Sequence, residues 1–134
     1  MRVLIAAGGT GGHVIPALQV ARELKRRGAE ILFVGTLRGL EARLAPENGF
    51  NLATIEVGGL NRVGAAQILA TLFQLPAALV KSARIVEAFR PDAAFGVGAY
   101  ISGPVLLMAA LKGIPVVVHE ANAVPGFTNR LLVP

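Results

Sequence analysis

"RVLIAAGGTGGHVIPA", residues 2–17, decides the fold. Residues 2–7 form a short apolar run behind one cation, the pattern of a strand buried on both faces. The run gives way to Gly8-Gly9-Thr10-Gly11-Gly12-His13, after which helical spacing is expected from about residue 14 to residue 27. Strand, glycine turn and helix in that order open a parallel βαβ unit. Pro16 is expected in the first turn of the helix, where a missing N–H costs nothing. Gly28 ends the helix behind Lys25-Arg26-Arg27, cations suited to the negative end of its dipole.

The rest of the chain repeats this alternation. Strands are expected at residues 31–34, 52–57, 93–97 and 115–118. Helices are expected at 38–47, 65–89 with a break at Pro76, 102–112 and 127–132. Continuous apolar strands alternating with helices predict an α/β fold, a doubly wound parallel sheet with both faces covered. No internal repeat or linker divides residues 1–134, so one domain is expected.

Composition narrows the classes of function. A hydrophobic fraction of 54% and mean hydropathy of +0.62 suffice for a packed core. With no cysteine and only His13 and His119, neither a disulfide framework nor a metal site is expected. The apolar run behind Met1-Arg2 is too short for a signal peptide, which predicts a cytoplasmic chain. Thirteen basic against eight acidic residues, a net charge of +5, favour an anionic partner. Aromatic residues are only 5% of the chain and tryptophan is absent, so base stacking has little to work with and nucleic acid is not expected.

The residues directly after each strand point to a site. They are the glycine loop Gly8–Gly12 with His13, then Gly35-Thr36, Gly58-Gly59-Leu60-Asn61-Arg62, Gly98-Ala99-Tyr100-Ile101-Ser102 and His119-Glu120-Ala121-Asn122. In a doubly wound sheet these are carboxyl ends on one edge, where ligands bind. The glycine loop feeds a helix N-terminus, whose free amides and dipole favour phosphate; the plainer reading is tight strand–helix packing. It is not a nucleotide-triphosphate loop, because no Gly-Lys-Ser/Thr follows. Nor is it a dinucleotide fingerprint: Val14 stands where the third glycine is needed, and Gly35-Thr36 where the ribose-binding acid is needed. A nicotinamide oxidoreductase is thereby excluded.

Individual residues carry two readings each. The positive end of a helix disfavours a further positive charge, which suits His13 as a neutral proton acceptor for a hydroxyl nucleophile. Otherwise it hydrogen-bonds a neighbouring loop. Tyr100 and Ser102 offer hydroxyls to a ligand, and Ser102 can instead cap the helix that starts there. Glu120 is a ligand-binding carboxylate or the partner of a cation such as Arg130, and Asn122 binds ligand or makes an Asx-turn. The stretch from Val63 to Val80 is broken only by Gln67, Thr71 and Gln74, close to the length of a membrane span. Spanning there would split the sheet between two compartments. It is either an ordinary crossover helix or one that presents Leu69, Leu72, Phe73 and Leu75 to an anionic bilayer, flanked by Arg62, Lys81 and Arg84.

Four motifs in series, GGTGGHVIPA (8–17), GLEARLAPENG (39–49), GAYISGP (98–104) and HEANAVPGFTNRLL (119–132), resemble the N-terminal domain of the MurG family, in glycosyltransferase family 28. The resemblance covers essentially the whole chain. It implies the N-terminal half of a GT-B enzyme, with two Rossmann-like domains across a cleft. The implied activity is metal-independent, inverting transfer of N-acetylglucosamine from UDP-N-acetylglucosamine to lipid I, the undecaprenyl-diphosphate-linked muramyl-pentapeptide, giving lipid II of peptidoglycan. The resemblance implies that Gly8, Gly9, Thr10, Gly11 and Gly12 meet the acceptor diphosphate, with Thr10, Gly11, Gly12 and Asn122 also touching the nucleotide sugar. It implies His13 as base, Tyr100, Ser102 and Glu120 as shaping the acceptor site, and the apolar helix with Arg62, Lys81 and Arg84 as a peripheral attachment to the inner face of the cell membrane. No cofactor is implied. Ala99 stands where the family usually has a second glycine, and Ala121 where it usually has glutamine. The chain is expected to lack the donor-binding domain and to be nearly inactive alone. The competing expectation is a non-catalytic module that binds polyprenyl diphosphate or docks a separate donor-binding subunit.

Overall fold

In a computed structural model, residues 1–57 and 64–133 are described. The elements run β1 (Arg2–Ala6), α1 (Gly11–Arg26), β2 (Glu30–Gly35), α2 (Leu40–Glu47), β3 (Asn51–Thr54), α3 (Ala65–Phe89), β4 (Ala93–Gly96), α4 (Ser102–Leu111), β5 (Val116–Val118) and α5 (Phe127–Leu132). The described strands form one parallel sheet in the order β3-β2-β1-β4-β5. The expected doubly wound architecture is present, and its strand order reverses between β1 and β4, where ligands bind in such sheets.

Alternation along β1 explains why both faces are covered. Val3 and Ile5 join Phe33, Phe50, Val14 and Leu18 in the core beneath α1 and α2, while Leu4 and Ala6 join Val34, Val86, Val105 and Leu106 beneath α3 and α4. The Phe33 and Phe50 rings meet at a centroid distance of 5.3 Å. Each large side chain buried this way contributes about 1.5–3 kcal/mol. Helix α4 lies so close to β4 that a Cβ on Gly96 would come within 2.4 Å of Leu106 Cδ1, so only glycine fits.

Two expectations about helices are corrected. Helix α1 begins at Gly11, not near Val14, because both glycines of the second pair adopt helical geometry behind the extended N-cap Thr10. Pro16 therefore lies in the second turn, not the first, and it deprives the Gly12 carbonyl of its usual donor. Helix α3 runs unbroken through Pro76. Pro76 and Leu72 both lie on the exposed face, so water can serve the carbonyl that the proline leaves unpaired. Gly28 closes α1 as expected, with φ of 88°.

Candidate ligand site at the carboxyl edge of the sheet

The strand ends are in register: Ala6 lies beside Val34 and Gly96, and Gly96 beside Val118. Backbone bonds extend the pairing past the strands, from Ala7 N to Val34 O at 3.1 Å and from His119 N to Gly96 O at 2.8 Å. The loops after β1, β2, β4 and β5 therefore rise from one edge.

The four glycines of the first loop divide into two pairs. The fold itself requires Gly8 and Gly9. A Cβ at Gly8 would lie 2.9 Å from Glu41 Oε1 and 3.2 Å from Ile101 Cγ2, and Gly9 has φ of +90°. Gly11 and Gly12 are different. Their nearest neighbours would be at 3.7 Å and 3.8 Å from an added Cβ, ordinary contact distances, and neither has positive φ. Packing does not demand glycine at either position. The amides of Thr10, Gly11 and Gly12 and the Thr10 hydroxyl have no partner among the described residues. His13 comes next in the same turn, its amide bonded to Thr10 O at 3.1 Å and its half-buried imidazole without a hydrogen bond to any described residue.

Sequence reading missed Glu41. Its side chain is fully buried, and its carboxylate accepts hydrogen bonds from Gly9 N (3.1 Å), Thr36 N (2.7 Å) and Thr36 Oγ1 (2.8 Å). Thr36 Oγ1 in turn accepts from Gly39 N at 2.9 Å. A Cβ on Gly35 or Gly39 would come within 2.2 Å and 2.1 Å of this side chain, so the carboxylate lies in a cradle of glycines from separate loops.

The β4 and β5 loops are fastened from within. Ser102 is fully buried, and its hydroxyl donates to Ala99 O at 2.5 Å, so it tightens the turn before α4. The capping expectation for Ser102 is corrected: it is the first residue of α4, with Ile101 at the N-cap and no side-chain cap. The Tyr100 hydroxyl has no partner among the described residues, and partial burial pushes its pKa up. Glu120 accepts from Asn122 N and Nδ2 (2.9 Å each), Gly126 N (2.8 Å) and Asn129 Nδ2 (2.9 Å). Led by the Gly126 and Asn122 amides, these donors hold its pKa down at about 2. Arg130 is not its partner: among the described residues no ion pair joins them. Asn122 is spent in part on this turn, leaving Oδ1 without a partner among the described residues.

Asn129 is a second residue that sequence reading missed. It is buried at 3% exposure, also donates to His119 O at 3.2 Å, and sits where a Cβ on Gly98 would come within 2.8 Å of Nδ2. It ties the β4 turn to the β5 loop. The only sequence signal is its place in the 119–132 motif.

Helix α3 also presents an exposed apolar face. Leu69, Leu72, Phe73 and Val80 are more than half exposed at spacings of three, four and seven residues that place them on one face, with Phe73 at 82%; Leu75, at 37%, is the least exposed of the expected set. Lys81 and Arg84 border a shallow hollow that includes Pro76, Val80 and Ile85. Arg62 and the Gly58–Asn61 stretch lie outside the described residues. Among the described residues no helix is long and apolar enough to cross a membrane, and no acidic or histidine cluster could hold a metal.

The family model for the glycosyltransferase family 28 N-terminal domain matches residues 3–134. The chain belongs to glycosyltransferase family 28. Among its family 28 relatives is the UDP-N-acetylglucosamine–N-acetylmuramyl-(pentapeptide) pyrophosphoryl-undecaprenol N-acetylglucosamine transferase of Solibacter usitatus, 54% identical over 96% of this chain and 35% of the relative. The transferase of the same description from Moorella thermoacetica is 53% identical over 98% of the chain and 36% of the relative. The crystal structure of Acinetobacter baumannii MurG superposes with a TM-score of 0.86 at 40% identity, covering 98% of this chain and 38% of that one. The chain thus spans about a third of the length of the family members it matches.

Proposed function

We propose that this chain is the acceptor-binding, membrane-facing part of a MurG-type transferase that moves N-acetylglucosamine from UDP-N-acetylglucosamine to lipid I. The observation that carries the reading is the pair Gly11 and Gly12. They are glycines that packing does not need, with amides unpaired among the described residues at a helix N-terminus beside a histidine. A bulky anion that must approach the backbone accounts for them. The Solibacter usitatus relative is named for a pyrophosphoryl-undecaprenol acceptor, a diphosphate-linked lipid, which fits that anion.

In this reading the acceptor hydroxyl attacks the donor sugar carbon as the bond to UDP breaks, and His13 takes the hydroxyl proton. A single displacement inverts the anomeric centre without a covalent intermediate. The loop Gly8–Gly12 meets the acceptor diphosphate through its outward amides at Thr10, Gly11 and Gly12, and Thr10, Gly11, Gly12 and Asn122 complete the nucleotide-sugar site from across the cleft. Tyr100, whose hydroxyl is unpaired among the described residues, is offered to the acceptor from the β4 loop. Ser102 and Glu120 shape that site by holding its loops. A separate donor domain completes the enzyme, since one wall of a cleft cannot supply the binding energy for both substrates. The exposed face of α3 with Lys81 and Arg84 supports peripheral attachment to the anionic inner face of the cell membrane.

Gly12→Ala tests the reading on the chain itself. Alanine fits the space and favours the helix, so stability is expected to hold or rise by about 0.5–1 kcal/mol. Affinity for a water-soluble lipid I analogue, measured by fluorescence anisotropy, is expected to fall at least ~10-fold, because the methyl group blocks approach to the amides. Unchanged affinity in a stable variant, or a wild-type chain that does not bind the analogue, contradicts the proposal.

A further inference from the structure

We infer that Glu41 is a positioning residue for the anion site: its carboxylate fixes the glycine loop from behind, so that the free amides of Gly11 and Gly12 face outward. The inference rests on the functional reading above for what the loop binds, but its geometry stands alone. Glu41 is fully buried, yet no cation pairs with it among the described residues. All three of its hydrogen-bond partners are donors: Gly9 N on one oxygen, Thr36 N and Thr36 Oγ1 on the other. A reverse bond, Leu40 N to Gly9 O at 3.4 Å, joins the same two loops. A buried carboxylate without a counter-ion is costly unless donors surround it. Two of these are backbone amides from loops at the ends of adjacent strands, and glycines at 8, 35 and 39 leave room for nothing else.

The same contact sets the direction of the loop. Gly9 sits at φ of +90°, a conformation with close alternatives for glycine, and its amide bond to Glu41 selects this one. That amide is thereby turned inward, away from any ligand, and the chain enters α1 with Thr10 extended and the next amides free. Charge matters as well as shape. Glutamine is isosteric, but one of its two terminal atoms is an NH2 group. With its oxygen toward Gly9, the NH2 meets the Thr36 amide; with its oxygen toward Thr36, it meets the Gly9 amide. Either way one buried backbone donor loses its acceptor.

The test uses the full chain labelled with 15N-glycine, wild type and Glu41→Gln, with inorganic diphosphate as the probe. In the wild type, Gly9 is expected to exchange its amide hydrogen slowly, and diphosphate to shift the Gly11 and Gly12 resonances while leaving Gly9 in place. In Glu41→Gln, Gly9 exchange is expected to rise at least ~10-fold and the diphosphate dissociation constant to rise about 10-fold, with circular dichroism unchanged. Glu47→Gln, an exposed carboxylate on the same helix, is expected to change neither. If Glu41→Gln does not fold, Thr36→Val removes one of the three donors and is expected to raise both quantities about 3-fold. Slow Gly9 exchange retained in the variant, or freed Gly9 with undiminished diphosphate binding, overturns the inference. A wild type whose Gly11 and Gly12 ignore diphosphate overturns the functional reading instead; Gly9 exchange, measured without ligand, still decides whether Glu41 holds the loop.

Discussion

His13→Ala, in an enzyme made by joining this chain to a family donor domain, is expected to lower kcat for N-acetylglucosamine transfer by about 10³-fold. His13 lies in the first turn of α1, directly after the two glycines whose amides, like its own ring, make no hydrogen bond to another described residue. A sugar hydroxyl is a poor nucleophile until its proton is accepted, and an imidazole held beside a bound diphosphate can accept it as the new glycosidic bond forms and the bond to UDP breaks. Removing that acceptor affects the transition state more than the ground state. The expected signature is therefore a large fall in kcat with the acceptor KM changed by less than about 5-fold. Steady-state kinetics with labelled donor measure both. A His13→Ala enzyme within about 10-fold of wild type in kcat, or one whose loss lies wholly in KM, assigns the histidine to binding.

Gly35→Ala is expected to lower folding stability by about 3 kcal/mol. Its Cβ would stand 2.2 Å from Glu41 Cγ, far inside contact distance. The neighbour cannot step aside, since Gly8 and Gly39 close the other sides of the same carboxylate. Displacing it would free the Gly9 and Thr36 amides of a buried acceptor. Overpacking of this kind costs ~1–3 kcal/mol, and each unsatisfied buried donor adds about as much. Urea unfolding with Gly12→Ala as the matched comparison measures the difference. A Gly35→Ala midpoint equal to wild type shows that the cradle is loose and that Glu41 does not fix the loop.

Much of this arrangement is legible in the linear sequence, for identifiable reasons. Strand–helix alternation depends on local apolar spacing, so the elements and the parallel sheet can be read from it. The edge that carries the loops can be read as well, because a parallel sheet places every strand's successor on the same side. The start of α1 is not legible, since glycine is a poor helix former and only the tertiary setting draws Gly11 and Gly12 into the helix. Proline at 76 suggests a break by local rules, and the exposed position of Leu72 and Pro76 relieves it. Glu41 reads as a solvated acid in the first turn of α2, where an acid suits the dipole. Its burial comes from glycines at 8, 35 and 39, and the pairing of Gly35 and Gly39 around Thr36 is the one local trace of it. Asn129 is hidden for the same reason: its partners His119 and Glu120 lie a full loop away.

Whether this chain is the acceptor half of a transferase is decided by transfer of labelled N-acetylglucosamine to a lipid I analogue, with this chain alone, a family donor domain alone and the two joined. Little or no product is expected from either part, and inverted product from the joined protein. An analogue that binds this chain but is never glycosylated in any combination contradicts that assignment, and makes the chain a polyprenyl-diphosphate-binding module without chemistry of its own.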